Sequence, residues 1–169
     1  MKTIESAKLL VRGWNDNDAA GIFELKRESA GFINYLKIGN LDEALDCIKI
    51  WKEFQEMYPV VLKETGKIIG VAGFVDVNRY KAYRELEVNI CEKYSSAEYL
   101  TQAHRLMLDY GFSELGLEAA FSLCGSGETA LRQALLETGF VYEGTLRKFG
   151  RDMSDRMRYS VIREEYFGL

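Results

Sequence analysis

Glu85 and Glu87 stand two residues apart with Asn89 after them, and Leu86, Val88 and Ile90 alternate with the three. Successive side chains on a strand point to opposite faces, so the two carboxylates and the amide share one face and the apolar residues the other. Beside a cleft, a carboxylate on such a face can take a proton from an ammonium group, through water, and release a nucleophilic amine. A strand with a solvated outer face shows the same alternation, and the pattern leaves both readings open. His104 is the only histidine, and no acid or nucleophile is spaced to act with it. It reads as a surface histidine. Cys47, Cys91 and Cys124 are odd in number and far apart, which fits neither a disulfide framework nor a zinc site. Cys91 and Cys124 each end a strand-like stretch and read as buried, unreactive thiols. Ser95 and Glu98 have the spacing of a capping box at a helix start, where each side chain satisfies a backbone N–H of the first turn.

Elements must hold these groups in place, and the chain offers an alternating set. Residues 8–14 read as a strand, and caps at 15–18 open a helix on which Ile22, Leu25, Phe32 and Leu36 keep near-helical spacing. After Gly39-Asn40, Leu41, Ala44, Leu45, Ile48, Trp51 and Phe54 mark one face of a second helix. Pro59, the only proline, opens a strand over 60–64, and Thr65-Gly66 turns the chain into a strand over 67–77. The strand carrying Glu85 follows over 84–90. A long helix over 96–112, a strand over 118–124 and a helix over 128–138 come next, the last ended by Gly139. Two strands, near 142–150 and 155–162, close the chain. This order is an α/β (α+β) arrangement: a mixed sheet of about seven strands with helices packed on it, the strand–helix–strand units of the second half pairing in parallel.

Composition narrows the function further. The 169 residues carry 22 Lys plus Arg against 26 Asp plus Glu, a net charge of −4, and are 47% hydrophobic. That size and balance predict one domain over 1–169, with a core that needs no staple. Mild acidity argues against nucleic acid as the main partner. Lys8 and Arg12 interrupt the only early apolar stretch, and the longest apolar run, 68–75, is under half a membrane span. No membrane partner is expected, and a cytoplasmic location is.

Glu85-Leu86-Glu87-Val88, the helix end Ala103 to Phe112, the run Thr138-Gly139-Phe140-Val141-Tyr142-Glu143-Gly144-Thr145-Leu146-Arg147 and the tail Met157 to Tyr166 together resemble the GNAT-superfamily N-acetyltransferases. The likeness is to the branch that acetylates the amino termini of ribosomal proteins, and it covers essentially the whole chain. It implies the GNAT acyl-CoA N-acyltransferase fold, with helices on both faces of the sheet. Acetyl-CoA would enter as co-substrate where strands 84–90 and 118–124 splay apart. The pantetheine would pair with backbone at Ile90 and Cys91, and the pyrophosphate would sit on N–H groups at Ser95, Ser96, Ala97, Glu98 and Tyr99. Glu85 and Glu87 would be the catalytic pair, and the acceptor an amine on a peptide or a small molecule. A homodimer is possible through the last strand, and no metal is implied.

The sequence departs from that pattern at both helix starts. The family's Q-G-x-G quartet falls on Ser95-Ser96-Ala97-Glu98, its Asn on Glu128, its Ser on Leu131, and a Tyr of other branches on Leu135. Glu98 and Glu128 would stand where an anionic donor binds, implying acetyl-CoA affinity on the order of 0.1 mM or poorer. Two function classes follow: an acyl-CoA-dependent N-acetyltransferase attacking by a primary amine in a ternary complex, and a GNAT-fold binding or regulatory module with a degenerate cofactor site.

Overall fold

An eight-stranded mixed sheet organises the chain in the computed structural model, which describes residues 1–15, 17–29, 31–33, 36–54, 56–75 and 82–168. The strands are β1 (Ile4–Glu5), β2 (Leu9–Val11), β3 (Glu56–Leu62), β4 (Ile68–Val75), β5 (Tyr83–Ile90), β6 (Ala119–Cys124), β7 (Val141–Leu146) and β8 (Arg156–Ile162). The helices are α1 (Asp18–Glu28), α2 (Leu41–Phe54), α3 (Ala97–Ser113), α4 (Thr129–Glu137) and the short α5 (Arg163–Phe167), with a 3₁₀ turn at Glu92–Tyr94. Strand order across the sheet is β1-β2-β3-β4-β5-β6-β8-β7. Among the described residues only β5 and β6 run parallel, joined by the crossover through α3. Among the described residues no helix is long and apolar enough to cross a membrane.

The sheet separates two cores. Ile22, Leu25, Ile48 and Trp51 of α1 and α2 pack with Val61 and Val71 on one face. On the other, Leu100, Ala103, Met107 and Phe112 of α3 and Leu135 of α4 pack on Ile69, Leu86, Val88 and Ile90. Burying an aliphatic side chain of this size is worth about 1.5–3 kcal/mol. A one-residue slip of β5 would expose its three apolar residues and bury Glu85 and Glu87, so the register is strongly specified.

Several boundaries differ from those read in the sequence. Pro59 lies inside β3, where its lack of an N–H is tolerated: β2 ends opposite Val60, and beyond that point the Trp14 Nε1 donates to Met57 O at 2.7 Å. The first helix stops at Glu28. Phe32 and Ile33 still enter the core, but from a turn closed by the Phe32 N–H on Ser29 O. Val77, the far end of the expected third strand, lies outside the described residues. The extra strand, β1, has two residues and no period to detect. His104 is 1% exposed, contrary to the surface position expected of it. α3 packs on both the sheet and α4, which widens its apolar stripe to include 104, edge-on to Phe140 at 6.1 Å.

Candidate active site

β5 and β6 pair at Tyr83–Ala119, Arg84–Ala120 and Glu85–Phe121, and nowhere further along. The Ser122 Oγ donates to Leu86 O at 2.6 Å, a single side-chain tie at the point of divergence. From Glu87 to Ile90 the strand keeps its ladder with β4 but has no strand partner on the β6 side. A parallel pair that opens this way leaves backbone donors and acceptors able to receive an extended ligand as one more strand.

A cavity of about 230 Å³ occupies the opening. Val88, Asn89 and Ile90 line one wall, Ser95 and Leu100 a second, and residues 127–131 at the start of α4 a third. Two helix starts border it, and helix starts carry N–H groups without intrahelical acceptors and a positive dipole end. Ser96 caps α3 by accepting from the Tyr99 N–H at 3.3 Å, which leaves the N–H groups of Ala97 and Glu98 without an intrahelical acceptor. A donor with an extended amide arm and an anionic phosphate end fits this set.

The capping box expected of Ser95 and Glu98 does not form. The Ser95 N–H closes the 3₁₀ turn on Glu92 O at 3.1 Å, so the extended conformation a cap requires falls one residue later, on Ser96. Glu98 turns outward and meets Lys8 Nζ at 2.7 Å. It does not line the cavity, so its expected repulsion of an anionic donor loses its ground. Glu128 does line it, and its Oε2 accepts from the Gly125 N–H at 2.5 Å and lies 3.9 Å from Arg156 Nη1.

The remaining candidates divide between the cavity and its surroundings. Ile90 and Ser95 line it. Cys91 packs into the α1–α2 core, and its N–H donates to Ile69 O on β4 at 2.9 Å. Tyr99 packs half-buried against the α3 core, with Lys8 5.9 Å from its ring. Sequence reasoning missed Gly127, Thr129 and Ala130, and met Leu131 only as the position where the family's Ser would stand. The signal available was position: these residues open α4 and must face whatever lies between the splayed strands.

Glu85 occupies the last paired position of β5, beside Val75 on β4 and Phe121 on β6. Burial, reinforced by the charge of Glu87, pushes its carboxyl from 4.5 up to about 7, and Arg158 pulls the other way. A carboxyl that titrates near neutrality exchanges a proton readily at neutral pH. Glu87 is engaged from the same face, its Oε1 accepting from the Asn89 amide at 2.6 Å. His104 Nδ1 lies 2.7 Å from Leu100 O, and burial pulls the ring down to about 4, so it is neutral and structural at neutral pH. All three thiols are buried.

Residues 8–141 match the family described as acetyltransferase (GNAT) domain. The uncharacterized N-acetyltransferase p20 of Bacillus licheniformis is 22% identical over 98% of this chain and 92% of its own length. The uncharacterized N-acetyltransferase YnaD of Bacillus subtilis strain 168 is 24% identical over 96% of this chain and 98% of its own. A GNAT-family acetyltransferase structure from Bacillus anthracis superposes with a TM-score of 0.81 at 21% identity, covering 96% of this chain and 99% of that one. A ribosomal-protein-S5-alanine acetyltransferase from Vibrio fischeri gives 0.80 at 17% identity, over 98% and 99%.

Proposed function

The chain belongs to the GNAT acetyltransferase family and is an N-acetyltransferase, and from that premise we propose that its acceptor is a primary amine, on a protein N-terminus or a small molecule, which attacks acetyl-CoA directly in a ternary complex. The observation that carries this reading is the position of Glu85, at the last register pair before β5 and β6 part, on the strand whose later residues Val88, Asn89 and Ile90 line the cavity. Acetyl-CoA supplies an acetyl group activated as a thioester. The β5 edge at Ile90 and the helix starts at Ser95–Ala97 and Glu128–Ala130 are the groups that hold it.

Glu85 takes the proton that an ammonium must lose before it can attack, and a carboxyl titrating at about 7 is ionised in a useful fraction at neutral pH. Glu87 shares the face and adds negative charge that favours a cationic acceptor. Backbone N–H groups of the unpartnered β5 edge are fixed donors for a developing oxyanion. The reading as a binding module is not favoured: the chain belongs to the acetyltransferase family, and of the two carboxylates that reading rested on, Glu128 lines the cavity but Glu98 is paired with Lys8 outside it.

Incubation with acetyl-CoA labelled in the acetyl group tests the reading, with a peptide bearing a free N-terminus and a polyamine as acceptors. Label on the amine of either supports it. Label on neither, with acetyl-CoA bound, contradicts it.

A further inference from the structure

Arg158 sits on β8 opposite Leu123 of β6 and Gly144 of β7, and it reaches three other strands. Its Nη2 donates to the Tyr83 hydroxyl on β5. Its guanidinium lies 4.3 Å from the centre of the Phe121 ring on β6. Its Nε is 2.8 Å from Glu143 Oε2 on β7, an ion pair and not an aligned hydrogen bond. Glu143 is held in turn by the Ser160 hydroxyl, at 2.7 Å. Tyr83 and Phe121 pack on each other, with centroids 5.2 Å apart.

These contacts fall at the short parallel seam of the sheet. β5 and β6 share three register pairs, and Tyr83 and Glu85 are the first and last of them. Tyr83 and Glu85 are two apart on one strand and share a face, so fixing one restricts the other. The guanidinium is planar and forked, which lets one side chain bond a hydroxyl, cover a ring and pair with a carboxylate together. Among the described residues, the charged groups acting on Glu85 are Glu87 from its own strand and Arg158 from β8, with Val75 and Phe121 beside it on β4 and β6.

The geometry points to Arg158 as a positioning residue that ties β5 to β6 and β8 through Tyr83 and holds Glu85 in place where β5 leaves β6. This rests on the reading of Glu85 as proton acceptor, but its test does not depend on turnover. Arg158 reaches the reaction through Tyr83 and Glu85.

Carboxyl-¹³C NMR of glutamate-labelled protein follows the titration of Glu85 in the wild type, Arg158→Gln, Arg158→Lys and Tyr83→Phe, with Glu85→Gln identifying the resonance. Arg158→Gln should move the midpoint up by about one pH unit, as loss of a nearby opposite charge does. Arg158→Lys keeps the charge but loses the fork, and should move the midpoint by less than half as much. Tyr83→Phe frees the guanidinium and should fall between the two. A midpoint unmoved in Arg158→Gln, or moved equally in Arg158→Lys, overturns the inference. Should Arg158→Gln not fold, an unmoved midpoint in Tyr83→Phe overturns it alone. Failure of Glu85 as a base would show separately, as full turnover by Glu85→Gln.

Discussion

A half-buried carboxyl, Glu85, and a buried imidazole, His104, carry opposite pH signatures. The Glu85 carboxyl, raised from 4.5 to about 7, keeps its proton in the folded protein after the unfolded chain has lost it. Its contribution is complete below pH 4.5 and is lost as pH rises to about 7, a fall of up to about 3 kcal/mol at roughly 1.4 kcal/mol per unit. His104, lowered from 6.5 to about 4, stays neutral in the fold after the unfolded chain has taken a proton, so its contribution is complete above 6.5 and is lost as pH falls toward 4. Glu85→Gln should therefore melt above wild type at pH 8 and gain nothing at pH 4, which thermal scans at the two values check. A residue placed to react is held here at a cost in stability.

The two helix starts differ in what they offer a donor, and single substitutions separate them. Glu98→Gly removes an exposed, solvent-screened ion pair with Lys8 and should leave acetyl-CoA affinity unchanged because the carboxylate lies outside the cavity. Glu128→Asn removes a negative charge from the cavity lining while keeping an acceptor for the Gly125 N–H, and should tighten binding of an anionic donor about tenfold by relieving one like-charge repulsion. Titration calorimetry on both variants decides between the two starts. Ser96→Ala should cost about 1 kcal/mol in melting experiments through loss of the α3 cap. The elements themselves were largely legible: the alternation at 84–90, the apolar stripes of α2 and α3 and the glycine ending α4 all correspond to observed structure. What sequence could not resolve was local competition. Ser95 and Ser96 are both able to cap, and only the 3₁₀ turn that engages the Ser95 N–H decides between them. His104 looked solvated because its burial depends on α4 packing against α3, a contact with no signature in the α3 sequence. Arg158 read as one charged residue of a closing strand, since the rings and carboxylate around it come from three separate strands.

At the scale of the molecule, both cores share one sheet, and the face proposed as catalytic belongs to its strand β5. Both tryptophans report on the α1–α2 core, where Trp14 stacks on Trp51 at 5.3 Å. Gly111 lies in the other core, where an added Cβ would come 2.5 Å from Phe74 Cζ. Gly111→Ala should lower stability by about 1–3 kcal/mol through overpacking. If the sheet couples the cores, tryptophan fluorescence and far-UV circular dichroism should shift together; a fluorescence transition left in place would mean that the halves unfold separately. The same sheet fixes Glu85 where β5 leaves β6. The decisive measurement is kcat/KM for acetyl transfer between pH 5 and 9 in wild type and Glu85→Gln. The wild type should rise through a midpoint at about 7, the value of the Glu85 carboxyl, and the variant should be about 100-fold slower or more with that limb gone. Equal rates with the same limb would contradict the reading of Glu85 as proton acceptor.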